Sequence, residues 1–118
     1  MGYIAKQDGV IYGSASEDSL FLVTSAWELR TARNVNISAC TIGHLGGGGL
    51  AVDEGSDGVV VSDSVFKDTS CWGVRFGQVN DSALDASRHT RNLQLRNSVV
   101  HASGAEYRGC SGVMGTVL

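Results

Sequence analysis

The feature that most constrains this chain is a repeat. Written one above the other, NVNISACTIGHLGGGGLAV (34–52) and GVVVSDSVFKDTSCWGVRF (58–76) align with a shift of 24 residues. Val35 falls on Val59, Ile37 on Val61, Cys40 on Ser64, Ile42 on Phe66, Gly49 on Gly73, Leu50 on Val74 and Val52 on Phe76. A third copy begins at NLQLRNSVVHASG (92–104). There Leu93, Leu95, Ser98 and Val100 continue the columns at a shift of 34, after a ten-residue insertion within 78–90. CSGVM (110–114) then matches CWGVR (71–75) after five more inserted residues, AEYRG at 105–109. Cys110 thus falls on Cys71, and Gly112 on Gly73.

Each copy holds short alternating strands separated by small-residue turns, and no segment sustains a capped 3.6-residue apolar period. A unit of about two dozen residues is too short to bury a face by itself, but stacked units bury one continuous core. The reading is an all-β parallel β-helix of about four coils, forming one domain over 1–118. A β-sandwich with coincidental spacing is the competing reading. SLFLV and AWELR form an earlier, irregular coil. GYIAKQDGVIYG either covers the N-terminal end or belongs to a longer upstream coil, so a piece of a longer β-helix stays open.

TIGHLGGGGLA invites a different interpretation, because GGGGLA satisfies a loose GxGxxA pattern. A dinucleotide site needs a helix after those glycines to hold the pyrophosphate. Here LAVDEGSDGVVV follows, which reads as strand, and no GK[ST] is present. Gly49 is read as a corner before a strand, repeated at Gly73 and Gly112. Gly47 and Gly48 are left without a reason, beyond lying where the next copy carries Cys71 and Trp72.

Composition narrows the partners. A net charge of −3 argues against nucleic acid. No apolar run approaches the roughly 20 residues of a membrane helix, and no signal peptide is visible. The three cysteines, Cys40, Cys71 and Cys110, show no CxxC spacing. Stacking brings Cys71 and Cys110 within bridging distance, yet stacked side chains run parallel, so reduced thiols are expected. His44, His89 and His101 lie in separate segments without ligand spacing. No metal and no cofactor are implied.

GYIAKQ, NVNISACTIGHLGGGGL, VFKDTSCWGVRFG and NSVVHASGAEYRGCSGV together resemble right-handed parallel β-helix carbohydrate-active proteins. The nearest likeness is to the glycoside hydrolase family 141 type, with its GYxxxQ stretch, H-L-G-G coil, F-x-D-x-S coil and E-Y-x-G insertion. The resemblance covers most of the chain. It implies a right-handed helix and a polysaccharide or oligosaccharide partner; such relatives are often secreted, and the localisation of this chain is left open. Relatives are longer, with coils on both sides, and CWG stands where small residues are expected.

The two insertions place candidate chemistry. Alternation turns Val74 and Phe76 inward and Arg75 outward, with Ala51 and Met114 in the same exposed column. Loops 78–90 and 105–109 flank that column, which makes a groove. They carry Asp81, Asp85, Arg88 and His89 on one wall, and Glu106, Tyr107 and Arg108 on the other. Glycoside hydrolysis needs two carboxyl groups across the scissile bond. Glu106, with Asp81 or Asp85 opposite, is the candidate catalytic set. Arg75, Tyr107, Arg108 and His89 are the candidate substrate contacts. Asp68, near a corner, is expected to bond turn amides. The alternative is a non-catalytic β-helix module for glycan binding or self-assembly, since open strand edges at its ends favour homo-oligomers.

Overall fold

The computed structural model describes residues 23–77, 85–107 and 110–115. Those residues are all-β, with a single 3-10 turn at Ala86–Arg88. The strands are β1 (Ser25–Arg30), β2 (Arg33–Ser38), β3 (Thr41–Leu45), β4 (Gly48–Asp53), β5 (Asp57–Ser62), β6 (Val65–Thr69), β7 (Val74–Phe76), β8 (Arg91–Arg96), β9 (Val99–His101) and β10 (Val113–Gly115). They form three sheets, ordered β1-β4-β7-β10, β2-β5-β8 and β3-β6-β9. Every neighbouring pair is parallel. The chain therefore visits the three sheets in rotation, an arrangement compatible with a parallel β-helix.

The pairing register is the one that the repeat dictates. Val35 pairs with Val59 and Ile37 with Val61. Ile42 pairs with Phe66, and Leu50 with Val74. The shift of 34 is also realised, with Val59 on Leu93, Val61 on Leu95 and Phe66 on Val100. Across the second insertion, Val113 meets Val74. AWELR lies in β1, where Trp27 pairs with Leu50. GYIAKQ and most of SLFLV lie outside the described residues. Ile37, Leu50, Val52, Val59, Val61, Phe66 and Val74 make the main core. A one-residue slip would turn each strand's apolar set outward, which is why the columns fix the register.

The corner between β2 and β3 recurs with the same chemistry. Ala39, Asp63 and Asn97 occupy it at φ of 53°, 51° and 44°. Each is followed by a residue whose side chain closes the turn. Ser64 and Ser98 donate their hydroxyls to Ser62 O and Arg96 O, both at 2.8 Å. The backbone N–H of Cys40 donates to Ser64 Oγ at 3.3 Å, and that of Ser64 to Ser98 Oγ at 3.2 Å. Each hydroxyl thus shapes its own corner and ties it to the preceding one. A second left-handed column, Asn34, Gly58 and Asn92, stands at the second position of β2, β5 and β8.

The corner glycines act through space rather than through φ. Neither Gly49, Gly73 nor Gly112 is among the positive-φ residues. A Cβ on Gly49 would collide with the carbonyl of Gly73, and one on Gly73 would come within 2.7 Å of Val100 Cγ1. Gly48 has its own reason, since a Cβ there would fall on the Trp72 indole.

Candidate functional site

Arg75 is the middle residue of β7, between the inward-facing Val74 and Phe76. Its register partners are Ala51 on β4 and Met114 on β10. The expected column is therefore formed, but it is not open. Ala51 is buried and Arg75 is only 5% exposed. Two features account for this. Arg75 Nη2 donates to Asp53 Oδ2 at 2.5 Å, and the Asp53 side chain is itself 1% exposed. The Trp72 ring covers the guanidinium, with the Arg75 Cζ 4.6 Å from the ring centroid. Burying this charge is tolerable because it is paired with a carboxylate and faces an aromatic ring.

Asp53 was absent from the sequence-derived set, yet its signal was present. Ala51 and Asp53 alternate onto the same face of β4, and Arg75 sits opposite Ala51. Asp53 is thus the diagonal neighbour of Arg75, within reach of a long side chain.

A second apolar cluster lies around Trp72. It comprises Val23, Cys71, Trp72 and Tyr107, with Cys110 packed against it. The Trp72 Nε1–H donates to Ser25 Oγ at 2.7 Å, fixing the indole over β1 and Gly48. Cys71 and Cys110 form a disulfide with a Cα–Cα separation of 5.0 Å. This corrects the expectation of reduced thiols. Parallel side-chain vectors apply to paired ladder positions, whereas both cysteines stand in the turns ahead of β7 and β10. Cys40 is the free cysteine among the described residues.

Backbone hydrogen bonds hold residues 105–107, the described part of the second insertion, beside this bridge. The N–H groups of Glu106 and Tyr107 both donate to Ser70 O, at 3.3 and 2.9 Å. Gly104 N–H donates to Cys71 O at 2.8 Å and Ala105 N–H to Thr69 O at 3.3 Å. Tyr107 is 2% exposed. Glu106 is half-buried, one residue from the cluster that covers Arg75. Asp85 is exposed and N-caps the 3-10 turn, without a side-chain cap bond. His89 C-caps that turn and is half-buried. Asp81 and Arg108 lie outside the described residues.

Asp68 departs from its expected role. Its Oδ2 lies 2.8 Å from His44 Nδ1, one strand away, and both side chains are exposed. Among the described residues, no group of three or more His, Cys, Asp or Glu side chains could hold a metal ion. No helix among them is long and apolar enough to cross a membrane. Searches of protein-family models, of curated proteins and of solved structures each found no match to this chain.

Proposed function

We propose that this chain is a right-handed parallel β-helix of about four coils that acts on a polysaccharide or oligosaccharide, in the manner of the glycoside hydrolase family 141 type. The observation that carries the reading is the anchoring of residues 105–107, the described part of the second insertion. Its backbone bonds to the end of β6, and its Tyr107 shares a cluster with Trp72, which lies over Arg75. This arrangement supports a reading in which the insertion forms one wall of a sugar-binding surface with Glu106 on it. In this reading Glu106 is the acid, Asp81 or Asp85 faces it, and Arg75 positions the sugar-facing surface from beneath. Carboxyl separations of about 5–5.5 Å would give retention, and about 6.5–9.5 Å inversion.

The test is release of reducing ends from a panel of plant and bacterial polysaccharides. Glu106→Gln should abolish turnover while leaving the thermal transition in place. Full turnover in that variant would remove Glu106 from the chemistry.

A second reading is a non-catalytic module that binds glycan or assembles with other chains. It is favoured by the Asp53–Arg75 pair, which already engages the expected sugar-binding cation below the surface. Retardation on a glycan-containing native gel, with no reducing ends released by the parent chain, would select it.

A further inference from the structure

The second half of β2 reads Asn36-Ile37-Ser38, an N-x-[ST] triplet without proline. We propose that Asn36 is an acceptor for an N-linked oligosaccharide, attached as the chain passes through an oxidising secretory compartment. This inference goes beyond the glycan-acting reading and shares no residue with it, so failure of either leaves the other standing.

Three observations carry it. The first is placement. Such a triplet is an acceptor only at the surface, and many are buried by the fold. Here Asn36 is exposed, Ile37 is 4% exposed in the core, and Ser38 is exposed again. Residues two apart on a strand share a face. The Asn36 amide and the Ser38 hydroxyl therefore stand together on the outer face of the β2-β5-β8 sheet.

The second is that the fold makes no use of this amide. Other asparagines of the sheet and its corners are committed: Asn92 Nδ2 donates to Asp57 Oδ1 at 2.6 Å, and Asn97 Nδ2 donates to Asp63 Oδ1. Asn36 instead pairs in register with Val60, which offers its side chain nothing to bond. The positions equivalent to Asn36 are Val60 and Gln94, and those equivalent to Ser38 are Ser62 and Arg96. The repeat therefore demands neither the asparagine nor the hydroxyl two residues on, and the triplet belongs to this coil alone.

The third is redox. Cys71 and Cys110 are bridged. Disulfides form and persist in secreted chains and in the lumen of the endoplasmic reticulum, and are rare in the reducing cytosol. That lumen also holds the lipid-pyrophosphate-linked oligosaccharides that serve as donors. In the transfer, the Asn36 amide nitrogen forms a bond to C1 of the first sugar. The bond from C1 to the pyrophosphate oxygen breaks, the lipid pyrophosphate leaves with the electron pair, and the amide proton passes to a base of the transferase. No oxidant or reductant is consumed. The attached oligosaccharide would cover Val60 and the middle of its sheet, whereas Arg75 lies on the β1-β4-β7-β10 sheet. The modified face and the proposed sugar-binding surface are thus separate.

A second triplet, Asn80-Asp81-Ser82, lies outside the described residues, so the test must resolve sites. The full chain is secreted from a eukaryotic host behind a leader of that host. It is then treated with an amide-cleaving glycosidase in heavy-oxygen water and mapped by peptide mass spectrometry. Labelled aspartate is expected at position 36, in molecules that also carry the Cys71–Cys110 bridge. Ser38→Ala should abolish the label there, and Ser38→Thr should restore it, which separates loss of the acceptor from loss of the fold. Secreted, bridged chain with an unlabelled Asn36 would overturn the proposal, as would label confined to Asn80. Label at position 36 that survives Ser38→Ala would overturn the assigned triplet.

Discussion

In the main core, each buried side chain has an apolar equivalent one strand away. Val35, Val59 and Leu93 form one column, and Ile37, Val61 and Leu95 another. The cluster around Trp72 is built differently. Trp72 follows Cys71 in the turn ahead of β7, and its counterpart in the preceding repeat is Gly48, which must stay small to admit it. Tyr107 comes from an insertion with no counterpart at all. The first region is held by repetition of one solution. The second is held by one disulfide, one indole hydrogen bond and one buried ion pair. In the first, stacked columns spread a loss across all three sheets, whereas in the second a single change removes a local fastening.

The largest losses should come from single deletions in each region, and their spread should differ. Phe66→Ala removes a fully buried ring from the main core and should cost about 3–5 kcal/mol. Asp53→Ala strands a buried guanidinium and should cost a similar amount, about 3–5 kcal/mol. Denaturant unfolding gives both values. Hydrogen exchange separates them, because Phe66→Ala should weaken protection in all three sheets and Asp53→Ala chiefly around β4 and β7. Identical exchange maps would erase the distinction between the regions.

Reduction should come next. Opening the Cys71–Cys110 bridge, which spans 39 residues, should cost about 2–4 kcal/mol. Protection should fall at residues 103–107 while β2, β5 and β8 keep theirs. Loss of the strands on reduction would mean that the two regions fold as one unit. The smallest effect belongs to the corner ladder. Ser64→Ala removes the hydroxyl bridging Ser62 O and Cys40 N–H and should cost about 1 kcal/mol. A cost near that of Phe66→Ala would show that the corners, rather than the core columns, carry the repeat.

Strand existence and register were legible because period-two alternation and the 24- and 34-residue shifts both pointed to the same pairs. The Ile42–Phe66–Val100 column could be read directly from aligned letters. The cover over Arg75 could not. It depends on the space left above Gly48, and alternation assigns a face without saying what lies on it. The disulfide was missed for a related reason. Ladder geometry was applied to Cys71 and Cys110, which stand where the ladder pauses. His44 and Asp68 are 24 residues apart, so their contact followed from the repeat, and the turn-amide role gave way to that nearer partner.

The corners differ in how much chain they admit. Between β2 and β3, β5 and β6, and β8 and β9, the connection is always two residues: 39–40, 63–64 and 97–98. In each, a left-handed residue is followed by a side chain that hydrogen-bonds within the corner. Between the β1-β4-β7-β10 sheet and the β2-β5-β8 sheet the connection is residues 31–32, then 54–56, then 77–90. Strand pairing resumes in register after all three. The same framework therefore contains a fixed joint and a port for grafting. A foreign peptide spliced in after Gly77 would add only loop-closure entropy, about 0.6 kcal/mol for each doubling of length. The same peptide placed after Asp63 would break the hydroxyl ladder and displace every strand below it.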